Sequence, residues 1–370
     1  MHVRTLGGLR EKDYVRRPAP RQTGTRPTVS VIIPCYNYGR FLPDSISSAL
    51  EQQGVEPEVI VVDDASTDDS AAVAQEYAAR DPRVSVIRHR ENAGHVVAFN
   101  DGLAAATGDY IVRLDADDLL APGALERAVA VFEAYPSVGL VYGHPLHFRT
   151  PAPPQARTAP ARWRVWSGAD WIAERCRVGV NCITTPEAVV RASVMKEIGG
   201  LDTRLRFAQD MEMWLRVAAV SDVARIMGPD QALHRDHSAS MSETSGAGRL
   251  LDLEERRMVF QVLFSGPGSA LPRSAELERT VRRTLAAEAL EQAFHAYDRG
   301  RAGSEDVPGL VRFGRETFPG AELLPQWRAL QRRQRVGARW AHYVPPFVAS
   351  AVGRRFRNEF RYARWARTGI

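Results

Sequence analysis

Lysine is almost absent from this 370-residue chain: Lys12 and Lys196 are the only two, so the 49 basic residues are nearly all arginine. Cysteine is also scarce. Cys35, Cys176 and Cys182 show no metal-ligand spacing and no disulfide framework, and they read as thiols of a reducing compartment. No run of about 18 apolar residues occurs, which excludes a conventional membrane-spanning helix. The first residues are charged but lack an apolar stretch behind them, so no secretory signal is expected. Neither G-x-x-x-x-G-K nor G-x-G-x-x-G is present, so the usual phosphate-cradling loops are missing. What remains is 44% hydrophobic and 25% charged, the mixture of a globular protein with a substantial core.

A net charge of +5 conceals a gradient. Residues 1–27 carry seven bases against two acids, and residues 312–370 carry thirteen arginines against three acids, which leaves the centre at −10. Such a centre is a poor general binder of nucleic acid and would need a divalent cation to hold a polyphosphate. Residues 1–27, rich in Arg, Gly, Pro and Thr, read as a flexible basic arm. Apolar runs at 29–33, 58–62, 84–87 and 110–114 alternate with helical spacing at 41–52, from Ser66 or Thr67 to about Arg80, and at 93–107. Pro34 is expected to stop the first strand, and Ser66 or Thr67 to cap the second helix. The alternation predicts βαβ units and a mostly parallel α/β sheet flanked by helices. Ligands of such sheets lie beyond the carboxyl ends of the strands. Three polar clusters fall there: Cys35-Tyr36-Asn37, Asp63-Asp64 and Asp115-Ala-Asp117-Asp118.

Asp115 and Asp117 are two apart, so an extended segment would turn both to one side. Oxygen ligands suit Mn²⁺ or Mg²⁺. Residues 150–162 read as a loop, and a helix is expected near 210–219. From Arg249 onward four helices are expected, at about 249–264, 274–298, 325–340 and 349–368. This organises the chain as an arm (1–27), an α/β domain (28–245) and a helical, arginine-rich region (246–370).

Taken together, Val29-Ser-Val-Ile-Ile-Pro-Cys-Tyr-Asn37, Val62-Asp-Asp-Ala-Ser-Thr-Asp68, Asn92-Ala-Gly94 with Asn100 and Gly102, and Gly108-Asp-Tyr-Ile-Val-Arg-Leu-Asp-Ala-Asp-Asp118 resemble family 2 glycosyltransferases in order and spacing. The resemblance covers residues 29–245. It implies a GT-A fold and an inverting, metal-dependent transfer of a sugar from a nucleotide-sugar donor to a hydroxyl acceptor, in cell-surface glycan or glycoconjugate synthesis. The acceptor would be a glycan, a lipid-linked glycan or a small molecule, and nucleic acid is not a partner. By the same resemblance Pro34, Tyr36, Asn37, Asp64, Asn92 and Gly94 bind the donor. Asp115 contacts ribose or sugar, and Asp117 holds Mn²⁺ or Mg²⁺.

Gly199-Gly-Leu-Asp202 followed by Gln209-Asp-Met-Glu-Met-Trp-Leu-Arg216 resembles the family's acceptor-side segment, with Asp210 as general base. Gln209 stands where an acid is usual. Asp210 and Glu212 cannot share a helix face, and only one should enter the cleft. His234-Arg-Asp-His237 resembles the segment after the catalytic helix, with His237 a further metal ligand and Arg235 a phosphate partner. His89, His95 and His144 read as ordinary histidines. A noncatalytic interaction protein on a degenerate GT-A scaffold and a sugar nucleotidyltransferase are the alternatives. Val352, Phe356 and Phe360 recur every four residues among arginines, which reads as a basic amphipathic helix. It would either meet an anionic leaflet or pair with the acidic centre. The expected location is the cytoplasm, peripheral on the inner face of the membrane in the first case.

Overall fold

The computed structural model describes residues 26–159, 162–237, 248–303 and 305–345, with Phe347, Trp365 and a short antiparallel pair, Thr5–Leu6 (β1) with Leu9–Arg10 (β2). Most of the arm expected over 1–27 and the amphipathic helix expected over 349–368 lie outside the described residues. The chain divides into two compact units: residues 1–171 with 183–245, and residues 172–182 with 246–370.

The first unit is built on a nine-stranded sheet. Thr28–Cys35 (β3), Glu56–Asp63 (β4), Val84–Arg88 (β5) and Tyr110–Arg113 (β6) pair in parallel, with β3 between β4 and β6. Val31, Ile33, Val59, Val61 and Val112 are fully buried here, as β-branched runs covered on both faces should be. Leu42–Leu50 (α1), Ser70–Arg80 (α2) and His95–Ala105 (α3) form the crossovers. Pro34 does not stop β3. The β6 pairing has already ended at Ile32, so the missing N–H of Pro34 leaves no partner unpaired, and β3 runs on to Cys35 beside Asp63.

Beyond β6 the sheet becomes mixed. Leu119–Leu120 (β7), Val138–Phe148 (β8), Arg162–Trp166 (β9), Val189–Arg191 (β10) and Asp222–Arg235 (β11) complete it. β10 runs antiparallel between β6 and β8, and β11 pairs parallel with β8 but antiparallel with β7 and β9. Ala124–Ala134 (α4), Ala192–Ile198 (α6) and Gln209–Val220 (α7) accompany these strands, while Gly168–Val178 (α5) starts in this unit and lies mostly in the second.

The second unit holds Arg249–Ser265 (α8), Ser274–Asp298 (α9), Val307–Thr317 (α10) and Pro325–Val336 (α11). Inside it Arg333 pairs with the fully buried Asp298 at 2.6 Å. Helix α10 falls between the helices expected over 274–298 and 325–340, in a segment that contains Pro308, Gly309 and Gly314. Pro308 occupies the first turn, where it is tolerated, and Asp306 caps the helix by accepting from Gly309 N at 2.8 Å. Among the described residues no helix is long and apolar enough to cross a membrane. The three cysteines are buried thiols, and burial pushes Cys35 up to about 11 and Cys176 up to about 12.

Candidate active site

Parallel order brings the ends of β3, β4 and β6 to one edge, and the order reverses around β3, the kind of position where ligands of such sheets lie. Beyond β3, Tyr36 is 43% exposed and available to a planar ligand. Asn37 has φ 61°, a conformation that asparagine tolerates better than most residues. Its Oδ1 accepts from Thr67 N at 2.7 Å, and its own N donates to Ser66 Oγ at 3.0 Å. Ser66 and Thr67 thus bind the neighbouring loop and do not cap α2. That helix begins at Ser70, whose N donates to Asp68 Oδ1 at 3.0 Å.

Asp64 is buried and organises the loop before α3. Its Oδ1 lies 2.7 Å from His89 Nδ1 and accepts from Ala93 N at 2.8 Å, while Oδ2 accepts from Gly94 N at 2.8 Å. Gly94, at φ 89°, makes that approach possible, and Asn92 stays exposed beside it.

Residues 115–118 form a turn closed by Asp118 N donating to Asp115 O at 3.0 Å. The extended alternation expected for this segment is therefore absent, and each carboxylate takes a different partner. Asp115 Oδ1 accepts from Arg113 Nη2 at 3.0 Å and Nε at 3.1 Å. Burial works against the Asp115 charge, but Arg113, with His234, holds its carboxyl below the usual range. Asp117 Oδ2 lies 2.9 Å from His237 Nε2. Burial and the Asp115 charge push Asp117 up, which is the electrostatic condition a cation would relieve. One carboxylate oxygen and one imidazole nitrogen, both partly accessible, fit a divalent ion.

Asp118 is fully buried and ties the turn to β11, with Oδ2 2.8 Å from His234 Nδ1 and Oδ1 accepting from Arg235 N at 2.9 Å. Burial opposes the His234 charge, but the bond to Asp118 and the surrounding carboxylates raise His234 to about 9. Arg235, read as a phosphate partner, is held by protein groups. Its buried guanidinium donates to Asp117 O, Pro151 O and Asp44 Oδ2, and lies between the Phe41 and Phe148 rings at 4.8 and 4.7 Å.

Across from the turn, α7 opens with Gln209 and Asp210. Burial raises the Asp210 carboxyl to about 6, the Asp115 charge adds to this, and Arg113 opposes it. Glu212 turns away: it is buried against Arg216, with Nε to Oε1 at 2.6 Å, and Arg216 also holds Ile198 O and Gly200 O. Asp210 and Glu212 thus point apart, as their spacing requires.

Two site residues escaped sequence reading. Arg113, given no role of its own within the run at 110–114, is buried against Asp115. His95 Nε2 accepts from Gln209 Nε2 at 2.8 Å, and burial, then Arg113, push its pKa down to about 4, so the ring is neutral. Its place directly after Asn92-Ala-Gly94 was the available signal.

Residues 30–198 match the family model described as Glycosyl transferase family 2. The uncharacterized protein MT1568 of Mycobacterium tuberculosis is 30% identical over 260 residues, covering 65% of this chain and 77% of that protein. The chain belongs to glycosyl transferase family 2. The putative glycosyltransferase EpsE of Bacillus subtilis is 34% identical over 197 residues, which is 51% of this chain and 66% of EpsE. The chain thus spans just under two thirds of that relative's length. S. aureus TarS 1–349, solved with UDP-GlcNAc, matches with a TM-score of 0.57 at 17% identity, over 84% of this chain and 91% of that one. The mannosyltransferase PcManGT of Pyrobaculum calidifontis, solved with GDP-Man and Mn²⁺, matches with a TM-score of 0.50 at 21% identity, over 89% and 90%. At these identities the solved structures bear on the fold, which is the GT-A type.

Proposed function

We propose that this chain transfers a sugar from a nucleoside-diphosphate donor to a hydroxyl acceptor with inversion at the anomeric carbon, in glycan or glycoconjugate synthesis. The observation that carries the reading is the approach of two kinds of carboxylate, since Asp210 feels the charges of both Asp115 and Arg113. Asp115 and Asp117 lie at the end of β6, and Asp210, held near pH 6, lies at the start of α7. The exposed Tyr36 ring, next to Pro34 at the end of β3, would receive the nucleobase. Asp64 and Asn37 shape the loops around it, and Asn92 and Gly94 lie at its rim. Asp115, fixed by Arg113, offers its carboxylate to ribose or sugar hydroxyls.

Asp117 and His237 would hold the Mn²⁺ or Mg²⁺. A divalent ion there, when bound, offsets the negative charge that develops on the leaving diphosphate. Asp210 takes the proton of the acceptor hydroxyl as its oxygen attacks the face opposite the leaving group. A base with a pKa of about 6 is mostly ionised at neutral pH yet basic enough to matter. His95, neutral and held by Gln209, adds no positive charge that would weaken it.

A panel of nucleotide sugars, screened with Mn²⁺ or Mg²⁺ for diphosphate release, tests the reading. Release of free nucleoside diphosphate with acceptor supports transfer. Pyrophosphate release would indicate a nucleotidyltransferase, and no turnover on any donor an interaction protein. The arginine-rich segment 345–370 is proposed to bring the chain to an anionic inner leaflet, at about 1 kcal/mol per arginine near the surface. Salt-sensitive co-sedimentation with anionic vesicles that disappears without residues 345–370 is expected; absence of binding at low salt refutes it.

A further inference from the structure

The parallel register of β11 on β8 sets His234 beside His147, and strand alternation puts Asp236 on the same side as His234. A second group of nitrogen and oxygen donors results, apart from Asp117 and His237. Asp236 Oδ1 lies 3.2 Å from His147 Nδ1 and 3.9 Å from His234 Nε2, and the three ligand atoms fall within 4.8 Å of one another. The two imidazoles meet edge-on with centroids 4.8 Å apart. The proposed transfer uses none of these three side chains.

A second observation concerns orientation. His234 Nδ1 is engaged by the buried Asp118, which leaves Nε2, whose proton a bound ion would displace, turned toward Asp236. A carboxylate behind the far nitrogen of a histidine is the usual support of a metal-ligating imidazole. We propose that His147, His234 and Asp236 form a second metal site, for a borderline divalent ion such as Zn²⁺, Co²⁺ or Ni²⁺. Two imidazoles and one carboxylate favour these ions over Mg²⁺, which prefers oxygen.

Bonds of about 2.0–2.2 Å in a tetrahedral site place donor atoms roughly 3.4 Å apart. The Asp236–His147 separation already matches. The His147 side chain, 42% exposed, has room to close the remainder. Arg149 Nε lies 3.7 Å from Asp236 Oδ2 on a side chain 75% exposed, and is the cation that the ion displaces. Through Asp118, an ion here would brace the turn that carries Asp115 and Asp117.

The test uses the full chain without a polyhistidine tag, carrying Asp117→Ala to disable the other site. Co²⁺ binding is followed by visible ligand-field absorption and Zn²⁺ binding by calorimetry. One ion per chain is expected. Adding His147→Ala should weaken binding at least tenfold, and adding Asp118→Asn 10–100-fold although all three ligands remain. Circular dichroism confirms that each variant is folded. Should Asp118→Asn not fold, His147→Ala, at an exposed position, decides alone. The proposal is overturned if the Asp117→Ala chain takes up no Co²⁺ or Zn²⁺, or if His147→Ala binds as tightly as its parent.

Discussion

Replacing Asp210 by asparagine should impair the enzyme and stabilise the protein together. Burial, with the Asp115 charge, lifts this carboxyl from 3.8 to about 6. At about 1.4 kcal/mol per unit, the charged form is disfavoured in the fold by about 3 kcal/mol. Between pH 4 and pH 6 the unfolded chain has released this proton while the folded chain retains it. Stability contributed by this group therefore falls as pH rises through that window and levels off above about 6. Asparagine carries no charge, so Asp210→Asn should be more stable than wild type by up to about 3 kcal/mol above pH 6, and nearly equal to it below pH 4. Loss of a general base costs on the order of 10²–10⁴-fold in kcat, with donor affinity kept. In the wild type, kcat/KM should rise about tenfold per pH unit up to about 6 and then flatten. Diphosphate release at saturating acceptor over pH 5–8, paired with urea unfolding, measures both effects. Wild-type turnover in the variant, or a flat profile from pH 5 to 7, would refute the assignment.

Chelation should abolish transfer, and Asp117→Ala should weaken metal-dependent nucleotide binding measured by calorimetry; full activity in excess chelator removes the metal from the reaction. Gly102→Ala should cost about 1–3 kcal/mol in urea unfolding. A Cβ there would lie 2.4 Å from Ile32 Cγ2 and 3.1 Å from Val62 Cγ2, in the contact of α3 with the sheet. An unchanged midpoint would show that α3 can lift away without loss.

Much of the first half was legible because its signals are local. Val31, Ile33, Val59 and Val61 form runs that a doubly covered strand explains, and the polar clusters that end them mark the edge where the candidate site lies. The mixed half was harder to read. β10 has three residues, too few for any periodicity, and its antiparallel direction depends on how the chain returns through α5. Ser66 and Thr67 look like caps in isolation. Asn37, some thirty residues earlier, claims them because folding sets the two loops side by side.

The sequence by itself determined the α/β class, the family, the sheet edge on which the chemistry falls, and the separation of Asp210 from Glu212, since helical geometry allows no other outcome. Only the tertiary structure decided what each charge meets. Arg113 became the partner of Asp115, Arg235 became part of the wall, and His95 came to rest against Gln209. The register of β11 on β8 brought His147 to His234, 87 positions apart. Pattern and propensity act over a few residues, whereas desolvation and Coulomb energy depend on distances in space that the chain sets only once it has folded.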